Sequence, residues 1–232
     1  MLISRTRKAL LGIVAGASMA LIMPGLPLGM ASFIALIPFL FLLENGGRFV
    51  SSYICGFVFF LINLRWLFTL TRFDALAIPG VLLLFAYLAV FFGLFGLILG
   101  AIRKRWRRDS SLLMLFPVLF TLFEILRNVG PLALGFTSLY QSLYSYPVLI
   151  QIAAYLGPWS LTAVIAFVNV ALYLAIRRKK ALFAILAAGA ISILLLFSLL
   201  PVNDDGMQIK VAIVSSQVSQ EEKLDDRNLF ML

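Results

Sequence analysis

Histidine is absent from this chain, and cysteine occurs once, at Cys55. A structural zinc set drawn from Cys and His is thereby excluded, since such a set needs four ligands. A single cysteine also rules out an intrachain disulfide and leaves the redox compartment unread. Cys55 lies in an apolar run with no acid or base near it in sequence, whereas a reactive thiol needs a neighbour that stabilises its thiolate. It reads as a packing residue, and neither a metal nor a cofactor is expected. Charge is equally sparse, at 12% of residues, where soluble domains carry roughly a quarter. With 62% hydrophobic residues, the chain has too little polar surface to cover a water-soluble core.

What charge there is has one dominant sign and a pattern. Lys and Arg outnumber Asp and Glu by 19 to 10, giving a net charge of +9. Thirteen of the 19 basic residues fall at four places between apolar runs. These are Arg5, Arg7 and Lys8; Arg48; Arg103, Lys104, Arg105, Arg107 and Arg108; and Arg177 to Lys180. Lys and Arg accumulate in cytoplasmic loops of membrane proteins, so each place marks the inner face of a bilayer. Because the basic residues flank apolar spans, anionic headgroups are their expected counterpart and nucleic acid is not.

Span counting follows from the need for about 20 mainly apolar residues per crossing. Ala9 to Leu43 supplies two, joined by a turn at Pro24, Gly25, Leu26 and Pro27, with Pro38 expected to kink the second. Phe49–Leu70, Ala75–Ile102, Ser110–Leu126, Val148–Ile176 and Ala181–Leu200 make seven. The expected fold is thus an all-α polytopic membrane helix bundle, residues 1–200, with its N-terminus inside and its C-terminus outside. The first run, although preceded by basic residues, reads as a retained helix and not a cleaved signal peptide, because no small-residue cleavage site closes it. Asn128 to Pro147, rich in Gly, Tyr, Ser and Leu, reads as an interfacial loop or a re-entrant segment. Gly12, Gly16 and Ala20 share one helical face, as do Gly93, Gly96 and Gly100, and such faces allow helices to approach closely.

Past residue 200 the pattern changes. A polar linker, Val202–Gly206, precedes an alternating stretch, Gln208–Val214, that reads as a strand. Residues 201–232 are too few to fold alone and read as a linker with the incomplete start of a further domain.

Val211 to Asp225, VAIVSSQVSQEEKLD, resembles the opening of the nitrilase-like domain of bacterial apolipoprotein N-acyltransferases, VALVQGNIPQ followed by a short KWD element. The membrane part is similar to the same family. Ala35 to Leu40 resembles its ALVPLL run, and Phe123, Glu124, Leu126 and Arg127 resemble its FE..R element. Gly135 and Phe136 follow, then Leu149 to Ala153. Where the family continues Gly-Phe with Pro-Trp, this chain has Thr137 and Ser138. The resemblance implies an inner-membrane enzyme that moves an acyl chain from a phospholipid to the N-terminal amino group of a lipid-modified cysteine in a lipoprotein. It implies a catalytic Glu, Lys and Cys in later parts of the nitrilase-like domain, so no catalytic residue is assigned within this chain. The membrane part alone is expected to be inactive and to need the rest of that domain in cis or in trans.

Glu124 and Arg127, three apart, share a helical face, and ionisable residues within a span are costly unless paired or functional. Two readings stand. The pair anchors the outer end of its helix, or Arg127 meets a phospholipid phosphate or the catalytic domain while Glu124 holds it in place. Gln151 is a further substrate or docking candidate, although Asn63, Gln151 and Asn169 read first as interhelical hydrogen-bond partners. Arg65 is expected to snorkel to the interface. The alternative to the enzyme is a non-enzymatic membrane protein, such as a small transporter or a lipid-binding scaffold.

Overall fold

A computed structural model describes residues 4–26, 28–72, 76–106, 108–129, 133–200 and 212. The chain divides into two units, Met1–Pro201 and Val202–Leu232. The expected strand at 208–214 falls, apart from Ala212, outside the described residues. In the first unit all regular structure among the described residues is helical: α1 Arg5–Leu21, α2 Ile37–Glu44, α3 Phe49–Asn63, α4 Ala77–Arg105, α5 Asp109–Arg127, α6 Pro147–Ile150, α7 Ile152–Leu156, α8 Pro158–Arg178 and α9 Ala181–Phe197. Three 3₁₀ segments, Gly29–Phe33, Arg65–Arg72 and Leu139–Leu143, lie between them.

Among the described residues three helices, α4, α5 and α8, are long and apolar enough to cross a membrane, and α3 with the Arg65–Arg72 turn makes a fourth if that bend of 56° lies within one span. The rest of the expected spans are shorter. α1 and α9 have 17 residues each, at the lower end of the roughly 17–25 that a bilayer core needs. The expected second span is broken into the Gly29–Phe33 turn and α2. Pro38 does not kink it, because it sits in the first turn of α2, where a missing N–H leaves no bond unmade. The expected sixth span, Val148–Ile176, is divided at Gly157, whose φ of 76° lies where only glycine is unstrained. Pro158 then starts α8.

The break in the second span leaves backbone groups that lipid cannot satisfy. Asn169, fully buried in α8, supplies the partners: its Oδ1 accepts from Leu36 N–H at 2.9 Å and its Nδ2 donates to Ser32 O at 2.7 Å. Asn169 therefore does join separate elements, whereas Asn63 donates to Phe59 O in its own helix. The Ser18 hydroxyl of α1 lies 2.9 Å from Ala35 O on the same break.

Around this point the core is aromatic. Phe39, Phe92, Phe95, Phe116 and Phe120 meet mostly edge to face, with Phe95 5.3 Å from Phe116 and 5.6 Å from Phe120. Such pairs add about 0.5–1.5 kcal/mol beyond their buried area. The small-residue faces both pack on α3. A side chain at Gly12 would meet Ser51 O at 2.6 Å, one at Gly16 would overlap Cys55 O, and one at Gly93 would meet the Phe49 ring. Cys55 is fully buried between these neighbours.

All four basic places gather at one end of the bundle. Glu44 accepts from Arg103 and from Arg177 at 2.8 Å each, Arg178 pairs with Asp109 at 2.8 Å, and Lys8 donates to Gly46 O. Helices α1, α2, α4, α5 and α8 thereby have ends fixed at a common level.

Gly16→Val should lower the thermal unfolding midpoint of the detergent-solubilised chain by several degrees, since overpacking costs typically 1–3 kcal/mol. Gly189→Val, with nothing within 4 Å of its added carbon, should leave the midpoint within about a degree. Equal midpoints for both variants would contradict the close α1–α3 contact.

Candidate functional site

Helix α5 begins at the basic end, with Asp109 in its first turn, and carries Glu124 and Arg127 in its last. Over 19 residues and a rise of 1.5 Å per residue, the pair stands about 27 Å from the basic end. Both side chains face inward, with Glu124 8% and Arg127 3% exposed. Their closest charged atoms are 3.7 Å apart. This is an ion contact beyond hydrogen-bonding distance, and each group finds its hydrogen bonds elsewhere.

Those bonds converge on the segment that follows α5. Glu124 Oε1 accepts from Leu139 N–H at 2.9 Å, and Oε2 accepts from the Thr162 hydroxyl of α8 at 2.9 Å. Arg127 Nη2 donates to Thr137 O at 3.0 Å, and its guanidinium lies over the Phe60 ring, 5.2 Å from the centroid. Asn128 Nδ2 donates to Ser138 Oγ at 3.2 Å. Ser138 also starts the Leu139–Leu143 turn, in a capping box with Gln141. The carboxylate thus binds the free N–H at a turn's beginning, and the guanidinium binds the carbonyl just before it.

Thr137 has φ 71°, an outlying conformation for a β-branched residue. Strain of about 1–3 kcal/mol persists only where the surroundings over-determine it, and here Arg127 holds the carbonyl. The Leu139–Leu143 turn also meets the other broken segment, since a side chain at Gly29 would overlap Ser142 O. Phe91, Phe92, Phe95, Phe120 and Phe123 line a narrow slot beside the pair, and Arg127 Nε is buried with no hydrogen-bond partner among the described residues.

Sequence reasoning placed Glu124 and Arg127 on one face but missed Thr137, Ser138 and Thr162. The replacement of Pro-Trp by Thr137 and Ser138 is the signal that marked the first two, because it puts hydroxyl groups where Arg127 and Asn128 reach. Thr162 carried none. Gln151 stands apart: it is partly exposed at the junction of α6 and α7, and no contact among the described residues joins it to the pair. Arg65 is exposed, and Trp66 beside it packs edge to face on Phe136 at 6.1 Å.

Removing one partner of a buried ion pair costs about 3–5 kcal/mol. Glu124→Ala should therefore lower the unfolding midpoint and speed amide hydrogen exchange at Leu139 by at least tenfold, while exchange in the middle of α4 stays unchanged. Unaltered exchange at Leu139 would remove the carboxylate from its place under that turn.

The sequence profile described as "Apolipoprotein N-acyltransferase N-terminal domain" matches residues 15–171, a range that includes Glu124, Arg127, Thr137, Ser138, Thr162 and Asn169. The Apolipoprotein N-acyltransferase of Allorhizobium ampelinum is 29% identical over 248 aligned positions, covering 97% of this chain and 46% of the relative. That of Thermotoga maritima is 33% identical over 191 positions, covering 74% of this chain and 36% of the relative. The chain spans less than half the length of these curated relatives. It belongs to the apolipoprotein N-acyltransferase N-terminal domain family.

Proposed function

We propose that this chain is the membrane-embedded part of an enzyme that transfers an acyl chain from a phospholipid to the N-terminal amino group of a lipid-modified cysteine in a lipoprotein. The observation that carries this reading is the family match across residues 15–171. In this reading the bundle supplies no nucleophile: Cys55 is buried against α1, and the acyl-transferring groups belong to a nitrilase-like domain that continues from residues 201–232. The chain alone is inactive. Its contribution is positional, and holding reactants in register lowers a barrier by several kcal/mol without any chemical group taking part.

The bundle lies in the inner membrane with its four basic places in the cytoplasm and crosses seven times, the shorter helices included, so that residues 201–232 emerge outside. Glu124 and Arg127 then sit at the outer end. They act as positioning residues that fix the 137–143 segment, on which the acyl-transfer domain rests, and Gln151, apart from the pair, is a separate docking residue.

Two experiments test this. A reporter active only outside the cytoplasm should be active when fused after Leu232 and silent when fused after Lys180; the opposite pattern would invert the topology. Second, the nitrilase-like domain of a relative, fused after Leu232, should give phospholipid-dependent acylation of a lipid-modified N-terminal cysteine peptide, while residues 1–232 alone give none. In the fused protein Arg127→Ala should lower the rate by roughly ten- to a hundredfold, because a misplacement of about 1 Å has that effect. Arg72→Ala, at an exposed position, should leave it within about twofold. Equal rates for the two variants at equal membrane abundance would reduce the pair to an anchor of α5.

A further inference from the structure

The end of the bundle opposite Glu124 and Arg127 carries a built cationic hollow. Its volume is about 520 Å³, within the range that ligand clefts occupy. Five basic side chains, Arg48, Arg103, Lys104, Arg177 and Arg178, line it with a single carboxylate, Glu44. They come from the start of α3, the end of α4 and the end of α8, positions far apart in the chain.

The charges divide into two sets. Glu44 engages Arg103 and Arg177 and also accepts from the Tyr173 hydroxyl at 3.2 Å, while Arg178 is taken up by Asp109. Arg48 and Lys104 are exposed and form no ion pair among the described residues. The internal pairs therefore fix the frame, and two cations remain directed at whatever occupies the hollow. Beneath this rim Leu40, Leu99 and Leu112 are packed inside the bundle and Leu43 is partly buried, so the surface that the hollow presents is more polar than apolar.

A polar, cationic hollow at the end of membrane helices suits an anionic headgroup whose hydrocarbon tail lies in the surrounding lipid. We infer that this hollow binds the phosphate of an anionic phospholipid headgroup, with Arg48 and Lys104 as its principal contacts. The reading is independent of acyl transfer, because the hollow, which α5 lines at Leu112, lies about 22 Å along that helix from Arg127. Basic pockets between membrane helices recognise anionic headgroups in this way. A charge cluster that served only to orient the chain during insertion would not need the convergence of α3, α4 and α8 on one hollow, nor two cations left outside the internal ion pairs. The bound lipid would bridge three helix ends and so stabilise the bundle.

The test is thermal unfolding of the 1–232 chain in mixed micelles. Phosphatidylglycerol should raise the midpoint by about 5 °C near saturation, and phosphatidylcholine at the same mole fraction should not. Arg48→Ala with Lys104→Ala should abolish that rise, and Arg7→Ala with Lys180→Ala, which removes as much charge from the same end, should keep it. Lys104→Gln alone, which breaks none of the ion pairs above, should at least halve the rise and guards against misfolding of the double variant. Equal shifts with both lipids, or equal losses in both double variants, would overturn the site. A full shift with inorganic phosphate at matched ionic strength would overturn the lipid as its source.

Discussion

Backbone N–H and C=O groups have no water to turn to inside a bilayer, and most of what is particular about this bundle answers that constraint. Long helices such as α4 meet it within themselves. Two irregular segments, Gly29 to Leu36 and Thr137 to Leu143, cannot, and each receives a polar side chain from a continuous helix. Asn169 of α8 serves the break at Ser32 and Leu36. Glu124 of α5 serves Leu139, and Arg127 serves the carbonyl of Thr137. The segments so served then touch each other, with Gly29 against the Ser142 carbonyl. At the points so served, Ser32, Leu36 and Thr137 to Leu139, the irregular backbone is buried in the protein interior, where partners exist.

The two ends of the bundle differ in how their charges are used. At the basic end one carboxylate, Glu44, gathers arginines from two helices, and exposed cations remain over. At the other end one acid and one base are withdrawn from the surface and committed to backbone groups of a loop. The first arrangement presents charge to the surroundings; the second converts charge into local rigidity. For a membrane part whose proposed contribution is positional, rigidity at that loop matters more than an exposed reactive group.

Much of this was legible in the sequence because it depends on local spacing. The basic places gather at one end, Glu124 and Arg127 share a face, and the glycines at 12 and 16 admit a neighbouring helix. The family assignment drew on short motifs in order, and the match across residues 15–171 agrees with it. What local spacing does not carry is the position of the breaks. Pro38 suggested a kink, yet proline in a first turn is harmless, and the true interruption precedes it. Gly157 divides a run that hydropathy alone reads as continuous. The hydroxyl of Thr162 reaches Glu124 across 38 positions, and no pattern within a helix announces such a partner.

The distance between Asn169 and the break it serves has a consequence for how the protein is made. Leu36 and Asn169 are separated by 133 positions, so the interrupted segment leaves the ribosome long before its partner does. Until α8 has entered the membrane, the N–H of Leu36 and the carbonyl of Ser32 must be hydrated, or the segment must remain at the interface. Final seating of α2 is therefore a late event in biogenesis, set by the arrival of α8 and not by the early synthesis of α2 itself.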